Sequence, residues 1–339
     1  ELNFNIAHID YTHENNGLEL AQEYIQKDSY APFNLIEGPL LRASLLQIEK
    51  DKYIFYYNMH HIISDGWSME VLAKNVLSYY EAFQKGVEPL LPELTIQYKD
   101  YSAWQLNNLN NQKYSAHQTF WQKKLSGELT LLDLPSQQQR PKVKTYNGAR
   151  LGTYLNEEFS DQLKSFCQQQ GGSLFMGLVS VWNVLMYRYT GQTDVLLGTP
   201  VAGRDHGDLE NQIGFYVNTL VLRNSVTPED NFTSFFQKVK ESNLKSYIHQ
   251  AYPFDRLVEE LSVERDLSRS ILFDVMITLE NLDKVTGTFK KCVEQTESII
   301  DAGKSVANFD LDVAFKEEGI APQLNLKKLR EEYAVSKEN

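Results

Sequence analysis

The chain has 339 residues, of which 42% are hydrophobic and 23% are charged, a balance typical of a globular protein with one or two hydrophobic cores. Its formal net charge of −12 argues against nucleic acid and anionic membrane as partners, because both are negatively charged. The two cysteines, Cys167 and Cys292, lie outside any CxxC, so the sequence indicates no disulfide framework and no zinc site, and we expect a cytoplasmic protein. No apolar run reaches the length of a membrane span, and we expect no signal peptide.

Hydrophobic periodicity predicts helices and strands along the whole chain. The predicted helices cover residues 17–27, 68–85, 97–125, 157–170, 173–190 and 232–250. The predicted strands cover residues 39–48, 53–59, 150–155, 194–201, 213–223, 272–279 and 307–315. Prolines punctuate the link at 88–93, which we take as the boundary between an N-terminal lobe over residues 1–95 and a C-terminal lobe over residues 96–339.

The segment from Met59 to Ser68 reads MHHIISDGWS and stands between a predicted strand and a predicted helix. Its two adjacent histidines, His60 and His61, come at the predicted strand end, and Ser68 can cap the first turn of the helix. Side chains of neighbouring strand residues point to opposite faces, so we expect one histidine to face inward and the other to face a cleft. Asp65 follows within one short turn, close enough to fix the backbone or to enter a buried ion pair.

Two plainer interpretations of the histidine pair stay open at this point. A metal ion could bind there, but the chain has no HExxH and no second cluster of metal ligands. A purely structural pair is the default for an isolated dipeptide. The Asp65-Gly66 turn and the helix start beside it favour a positioned, functional side chain.

Five segments carry a resemblance to one family: in chain order HHIISDG, YKDYSAW, IGFYVNT, HQAYPFD and RDLSRSIL. They resemble the motifs of condensation domains of nonribosomal peptide synthetases, and Ser102, Ala251, Asp255 and Ile271 depart from the family pattern. The resemblance implies an α/β (α+β) fold of two chloramphenicol-acetyltransferase-like lobes, each a mixed sheet flanked by helices, arranged as a V-shaped pseudo-dimer. The family's two earliest motifs would lie before residue 1, so we expect a fragment with an incomplete N-terminal lobe.

The resemblance also implies an amide-forming enzyme that makes no covalent enzyme intermediate. The amine of an acceptor aminoacyl group attacks a donor thioester, and both groups are carried on phosphopantetheine arms. The implied partners are donor and acceptor peptidyl carrier proteins and an adjacent adenylation domain, while the domain itself binds no cofactor and no metal. We expect the excised domain to be a monomer.

Within the HHIISDG segment the resemblance assigns His61 to the reaction centre, either as the base that takes a proton from the amine or as the group that positions the amine. The amide of Gly66 is expected to stabilise the oxyanion, with a simple tight turn as the alternative role for this glycine. His60 is expected to be structural, with its ring facing inward. Trp67 and Ser68 are expected to line a substrate tunnel.

Asp65 is interpreted as structural, and we predict that it forms a bidentate ion pair with Arg204 that joins the two lobes. Arg42 and an arginine before residue 1 are the rival partners. Asn218 is expected either to line the tunnel or, because buried amides usually bond within the protein, to bridge strands.

Other functions stay open as alternatives. In an epimerisation domain the family favours a VDxVSW-like continuation, whereas this chain reads SDGWS. A cyclisation domain would have aspartate in place of the histidines. A coenzyme A-dependent acyltransferase would work without carrier proteins, and a catalytically silent docking platform would form no product at all.

Overall fold

The computed structural model describes residues 4–136, 139–261, 266–280, 305–318 and 321–329. Within them the helices are α1 (Gly17–Tyr30), α2 (Gly66–Lys85), α3 (Tyr98–Asn110), α4 (Ser115–Lys124), α5 (Glu157–Gln169), α6 (Leu174–Thr190), α7 (Phe232–Ile248) and α8 (Phe254–Leu261). The strands are β1 (Ala7–Asp10), β2 (Leu41–Glu49), β3 (Lys52–Met59), β4 (Asn147–Gly148), β5 (Arg150–Tyr154), β6 (Asp194–Val201), β7 (Asn218–Ser225), β8 (Val275–Glu280), β9 (Ser305–Val306), β10 (Leu311–Glu318) and β11 (Ala321–Leu329). Short 3-10 turns lie at His61–Ile63 and Gly207–Leu209.

Contacts divide the described residues into two compact units. The first unit contains residues 4–103 together with residues 204–216, and the second contains the remaining described residues. The break after residue 103 lies near the predicted boundary, but residues 204–216 join the first unit instead of the C-terminal part of the chain. The division into lobes over residues 1–95 and 96–339 itself stays a prediction.

The first unit is built on a three-stranded sheet with the order β1-β2-β3. The sheet is mixed, because β1 runs parallel to β2 whereas β2 pairs antiparallel with β3 across the charged turn at 49–52. The helix α1 packs on this sheet. The residues buried in this core are Ala21, Ile25, Leu46, Ile48 and Tyr56. This packing fixes the position of β3, which leads directly into the histidine segment.

The helix after the histidine segment, α2, starts two residues earlier than predicted. Asp65 is its N-cap in place of Ser68: the Asp65 Oδ1 atom accepts a hydrogen bond from the Ser68 N–H at 2.8 Å. The helix end is as predicted, since Gly86 has φ 66° and its N–H reaches the carbonyl oxygens of Ala82 and Phe83. Glycine suits this left-handed position because it has no Cβ atom to clash with the backbone.

The second unit contains a six-stranded mixed sheet with the order β5-β11-β10-β8-β6-β7, and β4 and β9 form a separate pair. Helices cover both faces, so neighbouring residues of a central strand enter different cores. In β6, Val195 and Leu197 pack into the core with α5, α6 and α7, whereas Leu196 packs into the core with α4 and α8. This two-sided burial explains the continuous apolar run of the strand. The mixed sheets with flanking helices confirm the predicted fold class.

The helix predicted over residues 97–125 is wrong in its extent, because it is interrupted. The helix α3 ends at Asn110, and α4 begins at Ser115. Between them Gln112 takes a left-handed φ of 56°, and the Tyr114 side chain is buried. The aromatic periodicity on either side of the break conceals it in the sequence.

The strand predicted over residues 213–223 begins only at Asn218. In the first half of this run the Gly214 N–H and C=O groups bond to the Ser68 hydroxyl rather than to a neighbouring strand. The apolar composition of this run predicts a strand. Its first half is a loop instead, because the Ser68 hydroxyl bonds the backbone groups of Gly214 that a strand would offer to its neighbour.

Candidate active site

The two histidines follow β3, which ends at Met59, and do not lie on it. His60 caps a 3-10 turn: its Nδ1 atom accepts a hydrogen bond from the Ile62 N–H at 3.0 Å. Its ring is half-buried and meets Phe33 edge to face, with ring centres 5.9 Å apart. His60 is the more buried of the two histidines. The geometry of the turn decides this, and not the predicted alternation of side chains along a strand.

His61 is exposed, and a hydrogen bond and a ring contact hold its side chain. Its Nδ1 atom lies 2.5 Å from the Ser64 carbonyl oxygen, and its ring meets Phe215 edge to face with ring centres 5.3 Å apart. A carbonyl oxygen only accepts hydrogen bonds, so we assign the hydrogen to Nδ1 and the lone pair of the neutral imidazole to Nε2. In this tautomer Nε2 is the atom that takes up a proton.

Asp65 is a buried carboxylate that connects separate segments of the first unit. Its Oδ1 atom caps α2, and its Oδ2 atom accepts a hydrogen bond from the Tyr216 N–H at 2.9 Å. Burial by itself raises the pKa of this carboxyl, but the hydrogen bonds from Ser68 and Tyr216 and the charge of Arg204 outweigh burial and hold the pKa below its ordinary value. The carboxyl group is therefore ionised at neutral pH.

Arg204 is the partner of this carboxylate, so the pairing predicted from the sequence is present. Its Nη2 atom lies 3.1 Å from Asp65 Oδ1, and the two side chains are 1% and 3% exposed. The predicted bidentate geometry is wrong, because Nη2 alone faces both carboxylate oxygens while Nη1 donates to carbonyl oxygens of its own loop. The pair also does not join two units, since both residues belong to the first. The rival Arg42 lies 2.8 Å from the carboxylate of Asp28.

Ser68 is completely buried and ties α2 to the segment over residues 204–216. Its Oγ atom lies 2.7 Å from Asp65 Oδ1, 2.8 Å from the Gly214 carbonyl oxygen and 2.9 Å from Arg204 Nη2. It also accepts a hydrogen bond from the Gly214 N–H at 3.0 Å. A hydroxyl with these partners and no exposed surface holds the loop, so the geometry does not favour the predicted contact of Ser68 with a substrate tunnel.

The two residues between Asp65 and Ser68 are both exposed. The Trp67 ring donates from Nε1 to the Glu210 carbonyl oxygen at 2.8 Å, and its lining of a substrate tunnel stays a prediction. Gly66 has no positive φ, and among the described residues nothing lies within 4 Å of the place that a Cβ atom would take. Neither backbone strain nor packing requires glycine there. The tight-turn alternative loses its support, and an open approach to the backbone is favoured.

Phe215, whose ring lies against His61, was not predicted from the sequence as a site residue. A strand over residues 213–223 offers no reason for this side chain to reach a segment so far away in the chain. The available signal was Gly214, because a glycine inside an apparent strand often marks a bulge or a close approach of the backbone.

Comparison with known proteins decides the family. The model of the family described as "Condensation domain" matches residues 1–334. The chain belongs to the condensation domain family. Tyrocidine synthase 3 of Brevibacillus parabrevis is 38% identical over 289 residues, which are 85% of this chain and 4% of that protein. Bacitracin synthase 3 of Bacillus licheniformis is 38% identical over 296 residues, which are 87% of this chain and 4% of that protein. This condensation domain therefore spans a small part of the length of the curated relatives it matches.

Solved structures agree on the fold of this condensation domain. The X-domain from teicoplanin biosynthesis has a TM-score of 0.80 at 20% identity, with 96% of this chain and 73% of that chain covered. The starter condensation domain of rhizomide synthetase has a TM-score of 0.75 at 19% identity, with 96% and 71% covered. At these identities the likeness shows the fold alone, and it confirms the fold implied by the motifs.

Asn218 lies in the second unit of the condensation domain, where its amide holds the turn before α8. Its Nδ2 atom donates to the carbonyl oxygens of Gln250 at 2.7 Å and Tyr252 at 2.8 Å, and its Oδ1 atom accepts from the Phe254 N–H at 3.0 Å. Both N–H groups and the oxygen are used within the protein, so the bridging role is favoured, although it bridges a strand to a turn rather than two strands. The lining of a tunnel by Asn218 stays a prediction.

The described ranges lack two kinds of feature. In that part of the chain no group of three or more His, Cys, Asp and Glu side chains is placed to hold a metal ion. None of the helices described is both long and apolar enough to cross a membrane.

Of the two cysteines, Cys167 is buried, and Cys292 lies outside the described residues.

A second pair of histidines, His117 and His249, lies in the second unit beside the turn that Asn218 holds. Their Nδ1 atoms are 2.9 Å apart, and their ring centres are 5.0 Å apart. The Phe120 ring stacks on His249 at 4.1 Å between ring centres. Burial lowers the pKa of both imidazoles, and for His249 the neighbouring His117 lowers it further. One proton between the two nitrogens satisfies both rings, so the neutral pair is the stable form.

The lowered pKa values predict a loss of stability in mild acid. A histidine whose folded pKa is below its unfolded value binds more protons in the unfolded state, so the free energy of unfolding falls as the pH drops below about 6.5. Replacing His117 with glutamine, which does not titrate, should flatten this slope between pH 7 and pH 5 in urea unfolding curves. The exposed His13, replaced in the same way, is the control for the change of side chain itself. Equal slopes in the wild type and the His117→Gln variant would contradict the assignment.

Proposed function

We propose that this condensation domain forms an amide bond between two groups carried on phosphopantetheine arms. The donor is an aminoacyl or peptidyl thioester, and the acceptor is the amine of an aminoacyl thioester. The observation that carries the proposal is the exposed His61 imidazole, whose Nδ1 atom bonds the Ser64 carbonyl oxygen and whose Nε2 atom holds the lone pair. Membership of the condensation domain family supports the same chemistry.

In the proposed reaction the acceptor nitrogen attacks the donor carbonyl carbon, and the carbon–sulfur bond breaks. The nitrogen loses one proton, which passes to the leaving sulfur, so the products are an amide and a free thiol. The Nε2 atom of His61 either carries this proton or accepts a hydrogen bond that orients the amine. In the first case it is a general base, a role that typically contributes about 10²–10⁴-fold to the rate. In both cases the imidazole returns to its starting state.

The negative charge on the carbonyl oxygen is proposed to lie near the first turn of α2. The N–H groups of a first helical turn have no intrahelical acceptor and carry partial positive charge. Gly66 is the first residue of this turn, and the space beside it is open. A backbone amide in such a place stabilises an oxyanion without having to reorganise during the reaction.

The proposal implies donor and acceptor peptidyl carrier proteins and a neighbouring adenylation domain as partners. The phosphopantetheine thioesters arrive on the carriers and are substrates rather than a resident cofactor. We place the reaction in the cytoplasm on the ground of the chain's cysteine usage, and we expect the excised domain to be a monomer.

The test is incubation with a donor carrier and an acceptor carrier, each loaded with an aminoacyl group, followed by intact-mass measurement of both carriers. We expect the donor acyl group to appear on the acceptor carrier with the loss of one thioester. An acceptor carrier whose amine is acetylated is the control and should stay unchanged. Product from free coenzyme A thioesters at the same rate would favour an acyltransferase. A change in stereochemistry without a mass change would favour an epimerisation domain, and no product from cognate loaded carriers would contradict the proposal.

Gly66→Ala should separate activity from stability. Without a positive φ or a close neighbour at this position, alanine should fit, and it should raise the free energy of unfolding by about 0.4–1 kcal/mol by restricting the unfolded chain. The added methyl group occupies the open space beside the amide, so we expect the turnover number to fall by about tenfold or more. Loaded-carrier kinetics and urea unfolding measure the two effects.

Gly207→Ala is the matched control, because Gly207 also has open space and no positive φ in the first unit. This variant should keep both its activity and its fold. Full activity of Gly66→Ala would contradict the role assigned to the Gly66 amide, and loss of folding would contradict the open space.

A further inference from the structure

Phe215 combines an exposed side chain with a firmly held backbone. Its apolar side chain is 39% exposed. Its carbonyl oxygen accepts a hydrogen bond from the Tyr98 hydroxyl at 2.9 Å, and the N–H of the next residue, Tyr216, donates to Asp65 Oδ2 at 2.9 Å. On the other side, the N–H and C=O groups of Gly214 both bond to the Ser68 hydroxyl. Three consecutive residues are thus anchored to α2 and α3.

Packing allows this backbone little freedom. A Cβ atom on Gly214 would collide with the rings of Tyr98 and Tyr216, so the backbone passes where only glycine fits. The ring of Tyr216 packs edge to face on Tyr98, with ring centres 5.1 Å apart, and lies 4.8 Å from the ring of Tyr101. The guanidinium of Arg204 lies over the Tyr216 ring, 4.2 Å from its centre. The exposed Phe215 side chain is therefore attached to a backbone segment that packing holds rigidly.

The Phe215 ring restrains the one side chain that the proposed reaction needs in a fixed orientation. Rotation of a histidine ring about its Cβ–Cγ bond has broad, roughly two-fold preferences, so an exposed imidazole turns easily. In His61 the hydrogen bond to the Ser64 carbonyl oxygen fixes one ring nitrogen. The centre of the Phe215 ring lies 5.3 Å from the centre of the imidazole, with 77° between the two ring planes. In this position the Phe215 ring hinders rotation of the imidazole.

We propose that Phe215 is a positioning residue for His61, and that the Tyr98 hydroxyl holds Phe215 in place. The contact keeps the Nδ1–H on the Ser64 carbonyl oxygen and so keeps the lone pair on Nε2. This inference rests on the proposed function for its kinetic consequence. Its structural consequence, the tautomer of His61, is measurable without any substrate.

The first measurement is ¹⁵N nuclear magnetic resonance of the histidine ring nitrogens, with His61→Ala to assign the His61 signals. In the wild type His61 should be mainly the Nδ1–H tautomer. Phe215→Ala should shift the population towards Nε2–H, and Tyr98→Phe, which removes only the hydroxyl, should shift it in the same direction by less. Phe83→Leu is the control, because Phe83 is 73% exposed on α2 and should leave the tautomer unchanged.

The second measurement is the kinetics of Phe215→Leu with loaded carriers, after circular dichroism shows that the variant is folded. The turnover number should fall by about tenfold or more, because small misplacements of a reacting group cost up to about a hundredfold. The KM values for both carriers should stay within about twofold, because a positioning residue acts on the histidine and not on substrate binding.

Each outcome decides for or against the inference. The inference would be overturned by an unchanged His61 tautomer in Phe215→Ala together with an unchanged turnover number in Phe215→Leu. A rise in KM with an unchanged tautomer would also overturn it and would make Phe215 a substrate contact instead. If the wild type forms no amide while Phe215→Ala still shifts the tautomer, the positioning stands and the proposed function fails.

Discussion

Replacing Asp65 with alanine should lower the free energy of unfolding by about 3–5 kcal/mol and abolish amide formation, because it leaves a buried arginine without its counter-charge. The Arg204 side chain is 1% exposed, so water cannot replace the lost carboxylate. The same change removes the cap of α2 and the acceptor of the Tyr216 N–H. Urea unfolding and loaded-carrier kinetics measure the two losses.

Removing both partners tests whether the stranded charge is the cause. Asp65→Ala with Arg204→Ala should recover part of the lost stability, since no unpaired charge is left in the interior. It should recover little activity, because the loop over residues 204–216 loses its bonds to Asp65, although it keeps those from Gly214 to Ser68. Asp65→Asn, which caps a helix about as well, should lose less stability than Asp65→Ala. Unfolding of the double variant at a lower urea concentration than Asp65→Ala would contradict this explanation.

An exposed ion pair supplies the control for the Asp65 experiments. Lys245 and Glu241 lie 2.7 Å apart on α7 with both side chains more than half exposed. Glu241→Ala should leave the free energy of unfolding nearly unchanged, because solvent screens such pairs. The pH dependence of stability is a second check on Asp65. The pKa of Asp65 is lowered by folding, so its contribution is complete above about pH 4 and is lost only as the pH falls through the lower folded value. Mutant and wild type should therefore converge only in strong acid.

Replacing His61 with alanine should lower the turnover number by about 10²–10⁴-fold and leave stability nearly unchanged. The side chain is exposed, and truncating an exposed group away from the core usually costs within about 0.5 kcal/mol. His60→Ala is the matched comparison on the neighbouring residue. It loses the acceptor of the Ile62 N–H and the ring contact with Phe33, so it should cost about 1 kcal/mol of stability. A stable but inactive His60→Ala beside a fully active His61→Ala would reverse the assignment.

One further variant separates the two roles left open for His61. The amide of His61→Gln can accept a hydrogen bond from the attacking amine but cannot carry its proton. If the imidazole acts as a base, His61→Gln should be as inactive as His61→Ala. Retention of most of the activity in His61→Gln would instead show that orientation of the amine is what the imidazole supplies.

The elements that could be predicted from the sequence are those whose pattern is local. The helix α6 is an apolar run preceded by Ser173, whose hydroxyl accepts a hydrogen bond from the Met176 N–H as an N-cap does. The end of α2 at Gly86 follows from one residue with a special conformation. The errors occurred where distant groups compete for the backbone: Gly214 bonds to the Ser68 hydroxyl, and so the first half of the strand predicted over residues 213–223 is a loop.

The candidate site shows the same division. The HHIISDG segment and its neighbours could be recognised as a motif, and the chemistry of a buried carboxylate was enough to expect an arginine partner. Two features could not be predicted from the sequence: the break between α3 and α4, and the position of both histidines after the end of β3. Each depends on a turn whose dihedral angles are set by contacts outside the turn.

The sequence by itself determined the family, through five motifs in one order, and the alternation of helices and strands that makes a mixed fold. It also pointed to His61, Asp65 and Arg204 as candidate site residues. Only the tertiary structure decided that residues 204–216 belong with the first unit, and that the Tyr216 N–H reaches a carboxylate 151 positions earlier in the chain. The contact of Phe215 with His61 was decided in the same way. The physical reason is that local patterns depend on backbone preferences over a few residues, whereas such contacts depend on how the whole chain closes its loops around a shared core.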